Sequence, residues 1–383
     1  VIEAFESVTG MLGKAIGTQD DLVPVPIYRL TKAGKDITGS FDGRLISLTL
    51  EENRGFEADR LDIELDDSDG ALELPSRGAK LALAIGWKHE GLIDKGVYTV
   101  DEISHQGPPD RLVIRARSAD LRSGLTTKRE KSYHGISLLD LVNLIAGRHN
   151  LGAMVASSLA NQFLSHLDQT GESDASLLTR VAKMFDGIAT VKADKLLFAK
   201  VGQALSASGK PLTPVTIVRQ SGDQHHFSVA DRESFDSVVA YYQDTRAAKK
   251  GQVVVTAVAE TSTARSPSKK KGMPAKNGPP VVEPTGNTKE LRHTYANKTN
   301  AMRAARAEWQ RIQRGVASFS WTLACGNPEL FPEVPATVRG FKPQIDSTEW
   351  ILAKATHTID SSGGYTTALE LEIKATEVPD EKD

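Results

Sequence analysis

His225 and His226 are the only adjacent histidines in the chain, and imidazole is the commonest metal ligand. Adjacent positions on a strand point to opposite faces, so these two rings cannot share one ion without ligands from elsewhere. Asp66-Asp67-Ser68-Asp69-Gly70 looks like a calcium loop. The window that should open on a carboxylate and end at Gly70 opens instead on Leu65, so the run reads as a hairpin turn. Gly10-Met11-Leu12-Gly13-Lys14 has the wrong glycine-to-lysine spacing to cradle a phosphate, and no Gly-x-Ser-x-Gly elbow raises a nucleophilic serine. Forty-nine acidic residues could form many carboxylate pairs of the glycosidase kind, but no local context singles one out. Cys325 is the single cysteine, which leaves no intrachain disulfide and no thiolate zinc cluster, and it reads as a small buried residue after a strand. No catalytic, cofactor-binding or metal-binding residue is assigned, and no cofactor is expected.

The elements that carry these residues are mostly strands. In Leu61, Ile63 and Leu65, in Leu81, Leu83, Ile85 and Trp87, and in Leu112, Ile114 and Ala116, every second residue is apolar. Such alternation buries one face of a sheet. Glu90-Gly91 and Gly107-Pro108-Pro109-Asp110 separate the runs as turns. Short strands without helices between them, from Val25 to Leu121, suggest an antiparallel barrel or sandwich.

The period then becomes helical. Leu138, Leu141, Val142 and Ile145 share a face behind Ser137, which is placed to cap the helix. A second helix from about Ser176 carries Leu177, Leu178, Val181 and Phe185 and is expected to end at Gly187, before a hairpin around residues 192–195. Strands resume at Val215–Val218, Ser237–Tyr242 and Val253–Val258. A proline-rich, basic stretch, Thr261–Glu290, has too little apolar surface to order itself and reads as a dispensable exposed loop. In the helix Asn300–Arg314, Ala301, Ala305, Trp309 and Ile312 form the apolar face, and Arg303, Arg306, Arg311 and Arg314 are expected on a solvated one. Strands Ser318–Ala324, Ala336–Gly340, Trp350–Ile359 and Thr366–Ile373 finish the chain.

Length and composition fit two or three cored domains, with 383 residues, 39% hydrophobic and 25% charged. A formal net charge of -2 lacks the basic excess of a nucleic-acid binder, and no apolar run is long enough for a membrane-spanning helix. Val1, Ile2, Phe5, Val8, Met11, Leu12 and Ile16 recur at helical spacing with Glu3 and Glu6 between them. This is an amphipathic arm that would pack on its own or a neighbouring subunit, not a signal peptide.

Three stretches, in order, resemble the phage late control protein D family, the hub proteins of P2-type contractile tails. They are Gly96–Arg122 with its Gly-Pro-Pro-Asp turn, Ser132–Leu138, and Trp350–His357 continuing through Gly363-Gly364-Tyr365-Thr366-Thr367 to Glu370. Trp350, His357, Gly363, Gly364, Tyr365 and Thr367 are expected to serve the fold. Trp350 would fill a core, His357 would be a satisfied polar group at a barrel end, and the glycines would make the hairpin turn.

The resemblance implies a mainly β fold shared with the hub part of type VI secretion spikes. Two tail-tube-like antiparallel β-barrels would lie side by side with a small α+β insertion. The expected division is an arm at 1–24, a first barrel at 25–125, a mixed domain at 126–210, and a second barrel at 211–383 that carries the loop 261–290 and the helix 300–314. It further implies a homotrimer, joining the sixfold tail tube protein to the threefold central spike protein and touching other baseplate proteins, the tape measure among them. The chain ends soon after its last strand, so the resemblance implies that spike and cell-wall hydrolase are separate proteins. The particle is a virion or a bacteriocin-like tail, assembled in the bacterial cytoplasm. A cell-wall-degrading tail enzyme and a nucleic-acid-binding regulator are the alternatives. The second rests only on the basic loop and the arginine-rich helix.

Overall fold

Alternation along the chain becomes one large antiparallel sheet, because each run with a single apolar face must bury it against others of the same kind. The computed structural model describes residues 24–118, 124–192, 195–203, 210–229, 235–244, 249–256, 286–360 and 364–375. The expected arm helix, nearly all of the proline-rich loop and Gly363 lie outside the described residues.

The first strands are β1 (Pro26–Lys32), β2 (Lys35–Asp36), β3 (Leu45–Glu52), β4 (Arg60–Asp66), β5 (Lys80–Trp87), β6 (Gly91–Gln106) and β7 (Arg111–Ser118). Apart from the two-residue β2, which extends β1, they lie side by side as β3-β4-β7-β6-β5-β1, every neighbour antiparallel. Ile63 faces Ile114, Leu61 faces Ala116 and Leu65 faces Leu112, all buried in one core. β5 and β6 form the hairpin expected at Glu90-Gly91. The Asp66–Gly70 run does not make a hairpin, because β4 pairs with β3 and β7 and never with β5.

The middle block contains β8 (Lys128–Ser137), α1 (Leu138–Arg148), β9 (Gly152–Val155), α2 (Ser157–Ala160), β10 (Phe163–Ser173), α3 (Asp174–Met184), β11 (Gly187–Lys192) and β12 (Lys195–Lys200). Ser137 and Ser173 cap α1 and α3, each side chain accepting from the backbone N–H three residues on. α3 is not closed by Gly187, which already belongs to β11; Asp186 takes the left-handed turn, with φ 51°. Its side chain pairs with Arg314, distant in sequence.

The remaining strands and helices are β13 (Val215–Val218), β14 (Gly222–Val229), β15 (Ser237–Asp244), β16 (Lys249–Thr256), β17 (Thr288–Tyr295), α4 (Lys298–Gly315), β18 (Ala317–Leu323), β19 (Pro335–Arg339), α5 (Pro343–Asp346), β20 (Trp350–Asp360) and β21 (Gly364–Ile373). Four departures from expectation appear here. β15, β16 and β17 do not join the large sheet; they form their own, covered by Ala301, Ala305 and Trp309 of α4 around Val238, Ala240, Val253 and Val255. Residues 288–290 belong to β17 rather than to the loop, and Lys289 is tied to Glu308 at 2.7 Å. Two arginines of α4 leave the expected solvated face, Arg314 buried against Asp186 and Arg303 over the Phe185 ring at 4.5 Å, while Arg311 stays exposed. Cys325 lies after β18 as expected but is exposed, not buried.

The other six strands continue the large sheet as β14-β18-β21-β20, with β19 on β20 and β13 on β19. Numbered by their own order in the chain, both sets of six read second-third-sixth-fifth-fourth-first. Directions also agree except at one edge, where β13 runs parallel to β19 but β1 runs antiparallel to β5. Registers agree in detail. Tyr98 of β6 faces Leu81 and Ser118, while Trp350 of β20 faces Ala336 and Ile373. Two steps later each strand has a bulge, between Val100 and Glu102 and between Leu352 and Lys354. A bulge bends its strand and increases the local twist, so both sets turn the same corner at the same place.

Candidate functional site

The two halves of the sheet are joined where β3 pairs with the end of β20, from Glu52 opposite Ala355 to Ser47 opposite Asp360. β20 therefore serves both halves: its first residues pair with β19 and its last six with β3. Ile359 of β20 and Tyr365 of β21 reach into the first core beside Leu48 and Ile63.

A polar cluster is buried at this joint. His357 is fully buried, and Lys95 and Glu52 are nearly so. Lys95 Nζ donates to Glu52 Oε2 at 2.7 Å and to the Leu330 carbonyl at 3.2 Å. His357 Nε2 lies 3.0 Å from the same carboxylate oxygen and 3.2 Å from the same carbonyl. Both are acceptors, so Nε2 carries the proton. Nδ1 is then the acceptor, with the hydroxyls of Tyr365 and Thr367 each at 3.0 Å. Thr367 Oγ1 in turn accepts from the Asn327 N–H at 3.0 Å. The Trp87 indole donates to the Gly326 carbonyl at 2.8 Å and packs 5.2 Å from the Tyr365 ring, against which a Cβ on Gly326 would collide.

Electrostatics fix the charge states. Burial alone would raise the Glu52 carboxyl, but its bonds to His357 and the Lys95 charge outweigh that and pull it down to about 2. Burial lowers the His357 imidazole, against the pull of Glu52 and with the help of Lys95, so the ring stays neutral. Burial raises the Tyr365 phenol. The joint is one ion pair locked by a neutral imidazole and two hydroxyls, and each polar group in it has a partner. A histidine, a carboxylate and a lysine could form a proton relay, but these are closed off in the core. A cleft of roughly 500 Å³ lies elsewhere, beside Asp168, Glu172 and Arg180 of the middle block. No group of three metal-ligating side chains occurs among the described residues.

Of the residues assigned to the fold, His357, Tyr365 and Thr367 come together here. Trp350 lies apart, in the second core against Phe319 and Phe227 with ring centroids 5.6 and 6.3 Å away, and its indole donates to the Ile345 carbonyl at 3.0 Å. Gly364 is in the turn into β21 with φ 72°. Glu52 and Lys95 were not singled out in the sequence, where Glu51-Glu52 and Asp94-Lys95 look like ordinary surface charges. A second, partly buried network ties the middle block to both halves: buried Arg314 bonds Asp186, Arg54 forms an ion pair with Glu333 at 2.7 Å and bonds Glu372, and Glu333 accepts from the Gly202 N–H at 2.8 Å.

The profile of the phage tail baseplate hub (GPD) family matches residues 59–363. The chain belongs to that family. It is 47% identical over 367 residues to a probable baseplate hub protein of Escherichia phage 186 and 45% identical over 366 residues to that of phage P2. In each case the match covers 92% of this chain and 94% of the relative. The fold matches a tail protein from Neisseria meningitidis MC58 with a TM-score of 0.61 at 14% identity, over 91% of this chain and 96% of that one. Like other hub-family members it is a structural component of the virion tail, assembled in the host cytoplasm.

The joint gives the hub a defined acid response. The unfolded chain protonates Glu52 near 4.5, whereas the folded carboxyl holds out to about 2. The contribution is whole above about pH 4.5 and fades as pH falls toward 2, worth on the order of 3 kcal/mol. His357 acts in the same direction from a higher pH, because the unfolded ring takes up a proton that the buried ring refuses. Urea midpoints should fall between pH 6.5 and 3, and less steeply in the Glu52→Gln/Lys95→Met/His357→Gln variant. Equal slopes would show that the joint does not titrate this way.

Proposed function

We propose that the chain is the central hub of a contractile baseplate: a homotrimer carrying two tail-tube-like barrel units per subunit, which presents six similar docking surfaces to the sixfold tube and meets a threefold spike below. The observation that carries this reading is the repeated strand order with its matching bulges. Curvature supports it too. In the first unit Leu30 of β1 and Leu48 of β3, from opposite edges of the six-strand set, enter one core. In the second, Ile217 of β13 and Phe227 of β14 do the same. A sheet whose edge strands share a core is curled toward closure.

In this reading residues 25–125 form the first unit and 211–383 the second, with the β15–β17 layer and α4 as an appendage and 126–210 as the mixed domain. A reconstruction of the assembled baseplate should contain three copies of this chain around the tail axis, tube protein on one side and spike on the other; one copy or six would refute the reading. The hub acts without catalysis, so a peptidoglycan zymogram of the purified chain should show no clearing, and a clear band would favour a tail hydrolase instead.

A further inference from the structure

The internal joint uses one edge from each unit: the outer edge of β3 and the outer edge of β20 beyond its bulge. By the repeat, β14 stands where β3 stands and β6 where β20 stands. Each unit therefore has one more edge of the same kind. Among the described residues, the edge of β14 away from β18 has no strand against it, and neither does the edge of β6 beyond its bulge, away from β7.

We propose that the free edge of β6 at Ile103–Gln106 pairs antiparallel with the free edge of β14 at His226–Val229 of a second copy of this chain, with Ser104 opposite Ser228. The register follows from the internal joint. Matching through β7 and β21 puts Ile103 at the place of Ala355 and Ser104 at that of Thr356. Matching through β4 and β18 puts Ser228 at the place of Glu51. Since Thr356 faces Glu51, Ser104 faces Ser228, and by the same step His105 faces Phe227 and Gln106 faces His226.

The edges are suited to it. An exposed strand edge is a template for another chain, and proteins that must stay apart guard such edges with lysine or proline. Neither Asp101-Glu102-Ile103-Ser104-His105-Gln106 nor Gly222-Asp223-Gln224-His225-His226-Phe227-Ser228-Val229 contains lysine, arginine or proline. Val229 is 46% exposed at the end of β14. The contact joins two different edges, so it runs head to tail and can close a ring in which joints within and between chains alternate. This deepens the trimer reading by naming the residues that meet, and it can fail while the trimer stands.

The test uses tail particles assembled from a Ser104→Cys/Ser228→Cys chain in which the exposed Cys325 is replaced by serine. Facing residues of an antiparallel pair lie about 4.5–5.5 Å apart at Cα, inside the range a disulfide spans. Oxidation should give non-reducing gel bands of two and three linked copies. Ser104→Cys/Asp223→Cys, about 14 Å out of register by strand rise once the bulge in β14 is counted, should give none. Absence of linked bands from the first pair, or equal bands from both, overturns the proposal. If the variant particles do not assemble, a reconstruction of the unmodified baseplate decides. Ser104 and the neighbour's Ser228 within about 5.5 Å at Cα support the ladder. Three copies with these edges apart overturn the ladder alone, and any other copy number overturns ladder and trimer together.

Discussion

Lys95→Met should destabilise the hub by about 3–5 kcal/mol, the range for stripping one partner from a buried ion pair. Lys95 and Glu52 have side chains only 4% and 6% exposed, and their 2.7 Å contact is supported by His357 and the Leu330 carbonyl. Methionine fills much the same space, so packing changes little and the loss isolates the charge. Glu52 would then keep a buried carboxylate facing only a neutral imidazole, and its proton affinity must rise. The double variant Glu52→Gln/Lys95→Met removes both charges and should recover part of the loss, because replacing a buried pair altogether is often near neutral. Chemical unfolding of the four proteins in a double-mutant cycle measures the coupling. A loss below about 1 kcal/mol for Lys95→Met would mean that water reaches the pair and that it does not hold the joint.

Trp350→Ala should cost about 3–5 kcal/mol, the usual range for truncating a large buried aromatic. Trp350 is 1% exposed, among Phe319, Phe227 and Leu371, and its loss would leave the Ile345 carbonyl with only backbone donors. Tyr98 occupies the matching position of the first unit, is equally buried, and donates its hydroxyl to the Lys95 carbonyl at 2.7 Å. Tyr98→Ala should therefore cost a similar amount. Because β20 feeds Ile359 into the first core, damage at Trp350 should lower the melting of the whole sheet in calorimetry. A separate low-temperature transition confined to the second unit would show instead that the halves unfold independently. Trp350→Phe keeps a ring in the pocket and should lose clearly less than the alanine variant.

Much of this was legible along the chain because it depends on neighbours in sequence. Leu61, Ile63 and Leu65 alternate, and a strand with that pattern has one way to face a core. Ser137 precedes an apolar helical stripe, and a serine there meets the free N–H groups of the first turn whatever lies beyond. The motif stretches led to the family for the same reason, each being a short segment with fixed chemistry.

What the tertiary structure decided is which segments meet. Gly222–Val229 is polar and bulged, so its pattern does not say which strand it joins; its ladder to β18 decides that. Val238, Ala240, Val253 and Val255 alternate like any strand of the large sheet; α4 draws them into a separate layer because its alanine and tryptophan face needs cover. His357 looked like a group at a barrel end, but pairing across 305 residues with Glu52 places it inside the joint. The repeat of strand order is also absent from local pattern, since Tyr98 and Trp350 share a position without sharing a residue type. Alternation fixes which face of a strand is buried, but the identity of its neighbour is set by which apolar faces and buried charges find partners across the whole chain.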